Sequence, residues 1–443
     1  MIIGNKIHIG SRRKVTIGSK LNQAWYGVRI NEANSSPDLT RLAKDMTLHA
    51  SLPVHEAMKP CLLLENGTVN YYLKPDDWTK KADGTASKLD GTDGDVMIEV
   101  PQYYRRVDNP SSGVYDHIIS LQPLSGGQKV NKFYVGAYEG AVDRVNLKLH
   151  SVINTTTSFR GGNNNAAWDA ESRSLLGKPA TLLPLENGTV DGFRRYARNR
   201  GSVNWNVMTY RASMLIYELY MIEFATLNSQ KAVNTTLTVE GYKQGGLGNG
   251  VTTAASAEWS AYNSYYPFIS CGLSNSLGMG SGELSVNITD FGGAGVNRSF
   301  TVPRFRGIEN PFGHIWEWQD GANVFHEAAG GVSKFYTCDD PINFADNTET
   351  NYDYRSNLPS TSTYVKRMTH DDKGVLIPLE GGGGISSYFC DYYYTPGLIN
   401  AWRSVLRGGD AYSGSNAGFV DSPTSDSASL AIARIGSRVM YMT

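Results

Sequence analysis

Short runs of alternating apolar and polar residues, broken by Gly, Asn and Asp turns, dominate this chain and predict strands. Alternation is weak over IIGNKIHIGSRRKVTIG near the start, which predicts a short strand pair followed by a linker through residue 50. The stretch LLLENGTVNYYLKP sets Asn66-Gly67 between two apolar runs, a hairpin signal that predicts a type I′ turn with positive φ at both residues. MIEVPQYYRRV and HIISLQPL read as further strands, with Pro101 at a strand end or edge because proline cannot donate to a ladder. At the far end ARIGSRVMYM returns to alternation, which predicts a last strand with Ile435, Val439 and Tyr441 turned inward.

One segment breaks this period. Residues 203–228 (VNWNVMTYRASMLIYELYMIEFATLN) are apolar around most of a helical circumference and predict a central, enclosed helix. Segment 306–323 (RGIENPFGHIWEWQDGAN) packs Phe312, Ile315, Trp316 and Trp318 into seven residues. At roughly 25 cal/mol per Å² of apolar surface, such a run has to be core. Its polar members Glu309, Asn310, Glu317, Asp320 and Asn323 then need backbone, side-chain or cation partners. Residues 142–201, 240–300 and 325–400 are rich in Gly, Ser and Asn and read as loop insertions. The hexapeptide LENGTV occurs at 64–69 and again at 185–190 with unlike flanks, which indicates two similar hairpins and no true repeat.

Composition sharpens the class. A chain of 443 residues suits two or three domains, and 47 glycines with 26 tyrosines favour a turn-rich β protein. Mixed Tyr, Ser, Gly and Asn is also the palette of antibody-like binding surfaces. A net charge of −1 favours neither nucleic acid nor an acidic surface as partner. The four cysteines, Cys61, Cys271, Cys338 and Cys390, form no C-x-x-C pair and define no disulfide framework. No apolar run is long enough to cross a membrane and no secretory leader opens the sequence, so the expectation is a soluble chain without membrane insertion, released by lysis or within a particle.

Candidate chemistry is sparse. Asp90, Asp93 and Asp95 could chelate calcium, but their spacing is not that of an EF-hand loop, and a solvated Asp-Gly turn is the plainer reading. The basic cluster Arg194, Arg195, Arg198 and Arg200 reads as partners for core carboxylates or as helix-flanking charge. Glu218 and Glu223 on the helix could be catalytic acids; pairing with arginine is the simpler role, and Arg211 shares a face with Glu218. GGLGNG at 245–250 lacks the strand, helix and lysine of a phosphate cradle. His314 lies inside the tryptophan segment, where a satisfied core histidine is the ordinary occupant. Tyr388, Tyr392, Tyr393 and Tyr394 beside Asp391 suggest an aromatic binding ledge or a strand at a subunit contact.

Two separated motifs carry a resemblance. IWEWQDG within 306–323 resembles the G-N-V-W-E-W core of the C-type-lectin-like fold shared by formylglycine-generating enzymes and the variable proteins of diversity-generating retroelements. The tail 406–439 resembles the closing segment of that family, which runs from R-G-G to I-G-F-R; Arg407, Gly408, Gly409, Ile435, Gly436 and Arg438 match, while Ser437 replaces the phenylalanine. TYRASML and IEFATLNSQ resemble the helix of phage-borne proteins of this fold. The resemblance implies an α+β, β-rich fold in which a C-type-lectin-like domain at 146–443 follows N-terminal attachment strands and linker at 1–50 and a small β domain at 51–145. It implies a receptor-binding adhesin of a phage tail fibre or tail tip, a homotrimer joined to other virion tail proteins, with retroelement diversification belonging to the same family pattern. The partner would be a bacterial surface receptor, protein or polysaccharide, and the location the virion tail.

By the same resemblance the exposed ligand-binding face is Asp410, Ala411, Tyr412, Ser413, Ser415, Phe419, Asp421, Ser422, Thr424 and Ser425, set on a framework of Gly414, Asn416, Ala417 and Gly418. Alanine at Tyr412 and Phe419 is then expected to leave folding intact and weaken adsorption. Formylglycine-generating chemistry needs a cysteine pair in this tail, and residues 406–443 hold none, so no enzyme activity and no cofactor are expected, with structural calcium the alternative. A calcium-dependent glycan-binding lectin and a divergent formylglycine-generating-type oxidase are the competing readings.

Overall fold

A computed structural model of the chain describes residues 24–143, 145–154, 156, 159, 190–233, 271–288, 298–410, 413–428, 430 and 435–443. The N-terminal run through residue 23, positions 185–189 of the second LENGTV, and GGLGNG lie outside the described residues. The chain is β-rich α+β, and no helix among the described residues is long and apolar enough to cross a membrane.

Strands distant in sequence share sheets. An antiparallel five-stranded sheet runs Thr40–Ala43, Tyr26–Asn31, Val114–Ser120, Tyr103–Ser111, Gln128–Val130. A seven-stranded sheet runs Trp205–Val207, Val439–Met442, Phe133–Gly136, Asp95–Val100, Lys59–Leu63, Val69–Lys74, Asp77–Lys81. The last strand of the chain thus lies between residues of the expected small β domain and a strand from the start of the expected helix. The boundary drawn at residue 145 therefore does not separate two cores, and one apolar cluster reaches from Tyr26 to Met440. Pairing of this kind is set by surface burial across the sheet, which a window of local sequence cannot register.

Local signals meet their limits at particular residues. The hairpin at Asn66-Gly67 forms, but only Gly67 has positive φ (80°), and the Gly67 N–H bonds the Leu64 carbonyl at 2.8 Å. The turn is thus a type I turn closed by a left-handed glycine, not type I′. The strand Asp95–Val100 stops before Pro101, as proline requires. The central helix spans Tyr210–Phe224, starting later than the apolar pattern because Trp205–Val207 is spent on the sheet and the Thr209 hydroxyl caps the Ala212 N–H at 3.2 Å. It ends where Ala225 turns left-handed (φ 52°). All of its residues from Ala212 to Ile222 are buried.

Two stretches expected as loop insertions carry strands. Gly282–Ile288 pairs with Arg298–Phe305, and between residues 325 and 400 lie Ser333–Thr337, Asp353–Leu358, Thr363–Met368, Pro378–Gly381 and Tyr392–Tyr394. Their Ser, Thr and Tyr content reads as loop by polarity, yet Thr and Tyr are strong strand formers on a half-buried surface.

The tryptophan segment is core. Trp318, Phe312 and Ile315 are enclosed, and the strand Trp316–His326 pairs antiparallel with Ser333–Thr337 and Ala401–Arg407 and parallel with Ile435–Gly436. The two resemblance motifs are therefore neighbours: Arg438 reaches Glu317 at 2.8 Å and donates to the carbonyls of Gly136, Glu309 and Asn310. Glu309 accepts from the Gly272 and Ser274 N–H groups, and Asn323 donates to the Ala345 and Thr348 carbonyls. His314 shares a hydrogen bond with Glu139 at 2.5 Å.

Arginines serve core carboxylates as charge pairing in a low-dielectric interior demands. Arg194 binds Asp320 (2.7 Å) and Asp346 (2.8 Å), and Arg198 binds Asn206 and the Pro341 carbonyl. Glu218 takes Arg105, not Arg211, which turns outward to Asp339 (3.2 Å), and Glu223 takes Arg306 (2.8 Å).

Candidate functional site

The expected binding face begins where the strand Ala401–Arg407 ends. There the Gly408 N–H bonds the Asp421 carbonyl (3.1 Å), folding the tail back on itself. The segment between is pinned from beneath by the short helix Ser229–Val233. Gln230 donates to the carbonyls of Gly414 (2.8 Å) and Ala417 (2.9 Å), and the Ser229 hydroxyl accepts from the Phe419 N–H while donating to Asp391. A β-carbon on Gly418 would come within 2.0 Å of Asp391 Oδ1, so only glycine lets the chain pass this carboxyl.

This packing corrects the assignment of an exposed face. Phe419 is 1 % exposed and lies among Tyr217, Tyr220, Phe305 and Phe312. Asp410, Asp421, Ser422 and Thr424 are also buried. Ser422 donates to the Val420 carbonyl (2.7 Å), and Thr424 meets Tyr393 (3.1 Å) while its N–H bonds the Tyr394 carbonyl. The run looked too polar for core, but one phenylalanine supplies the apolar anchor and neighbouring groups satisfy most of its polar atoms. Ser413, Ser415 and Ser425 remain half-buried; Ala411 and Tyr412 lie outside the described residues.

What stays open beside this segment is a tyrosine ledge. In the strand Tyr392–Tyr394 the period of two buries Tyr393 and leaves Tyr392 and Tyr394 half-exposed. Tyr364, from Thr363–Met368, packs edge-on against Tyr392 with ring centroids 4.9 Å apart, and Tyr392 lies 4.6 Å from Tyr394. The Tyr364 hydroxyl donates to Asn416 Oδ1 (2.6 Å) and meets the Ser415 hydroxyl (3.1 Å); Asn416 Nδ2 donates to the Tyr394 hydroxyl (2.7 Å). Asn416, read from the motif as framework, thus belongs to the open surface. The tyrosine cluster at 388–394 drew attention to Tyr392 and Tyr394 together with Tyr388 and the buried Tyr393, whereas no local signal marked Tyr364.

Burial raises the phenols of Tyr364 and Tyr394, so both are neutral donors at physiological pH. Below them lie two enclosed carboxyls without an ion pair among the described residues. Burial pushes Asp391 up to about 8, against the Val420 N–H, the Ser229 hydroxyl and the Arg407 charge. Asp421 is raised well above its ordinary value by burial and by Asp391 and Asp410. The ledge therefore rests on a floor in which burial favours the neutral form of both carboxyls. Such a surface can stack on a ring or sugar face and exchange hydrogen bonds through hydroxyl and amide groups.

The other candidates resolve into structure. Asp90 accepts from Thr92, Asp93 from Tyr71, and Asp95 is buried against Arg200, so these three carboxylates take separate partners and Asp95 is not part of a solvated turn. Among the described residues no group of three or more His, Cys, Asp or Glu side chains is placed to hold a metal. The four cysteines are buried free thiols, each pushed up by burial. Comparison with protein-family models finds none that matches this chain, and comparison with curated proteins finds no match.

Proposed function

We propose that this chain is a receptor-binding adhesin of the phage-tail type, with a C-type-lectin-like scaffold whose ligand face is the tyrosine ledge. The observation that carries the reading is the half-buried Tyr364–Asn416–Tyr394 hydrogen-bonded network, with Tyr392 beside it and a buried, cross-linked segment behind it. Tyr, Asn and Ser held this way lose little conformational entropy on binding, so even a small patch can discriminate ligands. The neighbouring arrangement of the W-E-W and I-G-S-R segments, tied by Arg438 and Glu317, supports the scaffold part of the reading. In a homotrimer three such ledges would act together and raise avidity by orders of magnitude over one.

The test is adsorption of labelled full-length protein to a panel of bacterial strains, repeated with Tyr392→Ala and Asn416→Ala on a strain that binds. Tyr392→Ala is expected to weaken binding about tenfold or more, as truncation of a hot-spot tyrosine does. Asn416→Ala is expected to weaken it by a smaller factor through loss of the bridge between Tyr364 and Tyr394, each variant remaining folded. Wild-type adsorption by both variants would move the ligand face elsewhere.

A further inference from the structure

Away from the ledge, four titratable side chains from distant parts of the sequence line up in the interior. Glu218 on the central helix accepts from Arg105 twice (2.7 and 2.8 Å) and meets His117 Nδ1 at 2.7 Å. His117 Nε2 meets His370 Nδ1 at 2.9 Å, and His370 Nε2 faces Glu32 Oε1 at 3.8 Å. Neither of these last two atoms has a hydrogen-bond partner among the described residues, although the two side chains are only 1 % and 7 % exposed. Glu32 turns its other oxygen to Arg367 (2.9 Å) and lines a surface pocket of about 130 Å³. The outer end of the line thus lies beside solvent, and the inner end at Glu218 is sealed.

Counting protons shows what this line lacks. Arg105 holds Glu218 ionised, so that carboxylate can only accept. A neutral His117 therefore donates from Nδ1 and leaves Nε2 as an acceptor. His370 then donates from Nδ1, which leaves its own Nε2 bare opposite a carboxylate oxygen. Two neutral rings thus supply two protons to three contacts. The two contacts that hold a proton are short, and the third is long. Two buried acceptors face to face forfeit the hydrogen bonds each would have with water. One proton between them would satisfy both.

We propose that His370 and Glu32 form an acid-loaded proton site, empty near neutrality, in which a proton taken up at His370 Nε2 draws Glu32 Oε1 into a direct hydrogen bond. The other charges around the ring are committed. Arg367 and Lys366 share Glu380 (3.3 and 2.6 Å), Asp371 pairs with Arg355, and Asp116, next to His117, turns away to Arg29 (2.6 Å). Tyr115 stacks on the His370 ring with centroids 4.0 Å apart, Tyr103 lies near Glu218 and Arg105, and Asp372 and Lys373 are exposed. Burial, then His117, Arg367 and Arg105, hold the His370 ring well below its ordinary value of 6.5, against the pull of Glu218. The stability that a neutral His370 contributes is therefore complete above pH 6.5 and is lost as pH falls below it. In that acid range Glu32 offers the incoming charge an unpartnered acceptor.

The test is NMR of the histidine ring nitrogens in the isotope-labelled full chain, from about pH 8 to about pH 4, a range that brackets the ordinary histidine value. The His370 signals are identified by their absence from His370→Gln. At the alkaline end His117 and His370 are each expected to carry a proton on Nδ1 alone. On acidification His370 is expected to gain its second proton at Nε2, below the ordinary value, while circular dichroism still reports a folded chain. Glu32→Gln replaces the acceptor with an amide that can donate to the bare nitrogen. It is expected to lower the His370 midpoint by about one pH unit or more, a tenfold or greater loss of proton affinity, whereas a glutamate with only a structural role leaves that midpoint where it is. A proton on His370 Nε2 already at the alkaline end, unfolding before the ring loads, or an unchanged midpoint in folded Glu32→Gln would overturn the proposal; the first two readings need no variant.

Discussion

Glu218 and Asp421 are equally hidden, at 2 % and 0 % exposure, and their acidities are shifted in opposite directions. Glu218 receives a two-pronged grip from Arg105 (2.7 and 2.8 Å) and shares a hydrogen bond with His117 (2.7 Å). Burial by itself would raise its carboxyl; the Arg105 charge and hydrogen bonds, with His117, outweigh that and hold it at about 2. Asp421 has no donor to either carboxylate oxygen among the described residues, so burial and its acidic neighbours push it the other way. Depth in the core thus does not set charge. Partners do, and here they divide the molecule into an ionic clasp around the central helix and, under the ledge, carboxyls that burial biases toward the neutral form.

Breaking the clasp should have the largest effect. Arg105→Met leaves Glu218 buried without its cation and is expected to cost about 3–5 kcal/mol, read as a lower urea midpoint. On the other side Phe419→Ala empties the aromatic anchor of the tail and should cost about 3–5 kcal/mol at most, reversing the expectation that this position tolerates alanine. Unchanged stability in the Phe419 variant would place the ring outside the core.

Acidity distinguishes the two regions more finely. Folded Glu218 titrates near 2 against an ordinary 4.5, so its stabilising contribution is complete above pH 4.5 and is lost as pH falls toward 2. Folded Asp391 titrates near 8 against an ordinary 3.8, so its contribution is complete below pH 3.8 and is lost as pH rises toward 8. The two groups therefore give limbs of opposite slope, read as the pH dependence of melting temperature in Glu218→Gln, which should flatten the acid limb, and Asp391→Asn, which should flatten the alkaline one. Asp421→Asn should give the smallest effect, a gain on the order of 1 kcal/mol at pH 8 from removing a buried group that favours its neutral form, together with a shallower alkaline limb and an unchanged acid limb. A loss of stability at pH 8 would mean that the carboxylate is ionised and paired in the folded protein.

Much of the scaffold was legible because its signals are local. Trp316 and Trp318 carry too much apolar surface to stay wet, and residues from Ala212 to Ile222, Ser213 and Glu218 apart, are apolar around most of a helix. Pairing was not legible. Arg211 lies on the same helical face as Glu218, yet Arg105, 113 residues away, takes the carboxylate because the strand Tyr103–Ser111 passes it. The ledge shows both kinds of information: alternation turns Tyr392 outward, but Tyr364 and Asn416 join it only through strand pairing and the folded-back tail.

The amino-acid order alone determined a β-rich chain with an enclosed helix and a tryptophan-bearing core segment, since burial of large apolar side chains follows from composition and period over a few neighbouring residues. Tertiary packing decided that Phe419 points inward, which arginine meets which carboxylate, and which tyrosines stay open, because each of these depends on groups tens to hundreds of residues away competing for the same enclosed space.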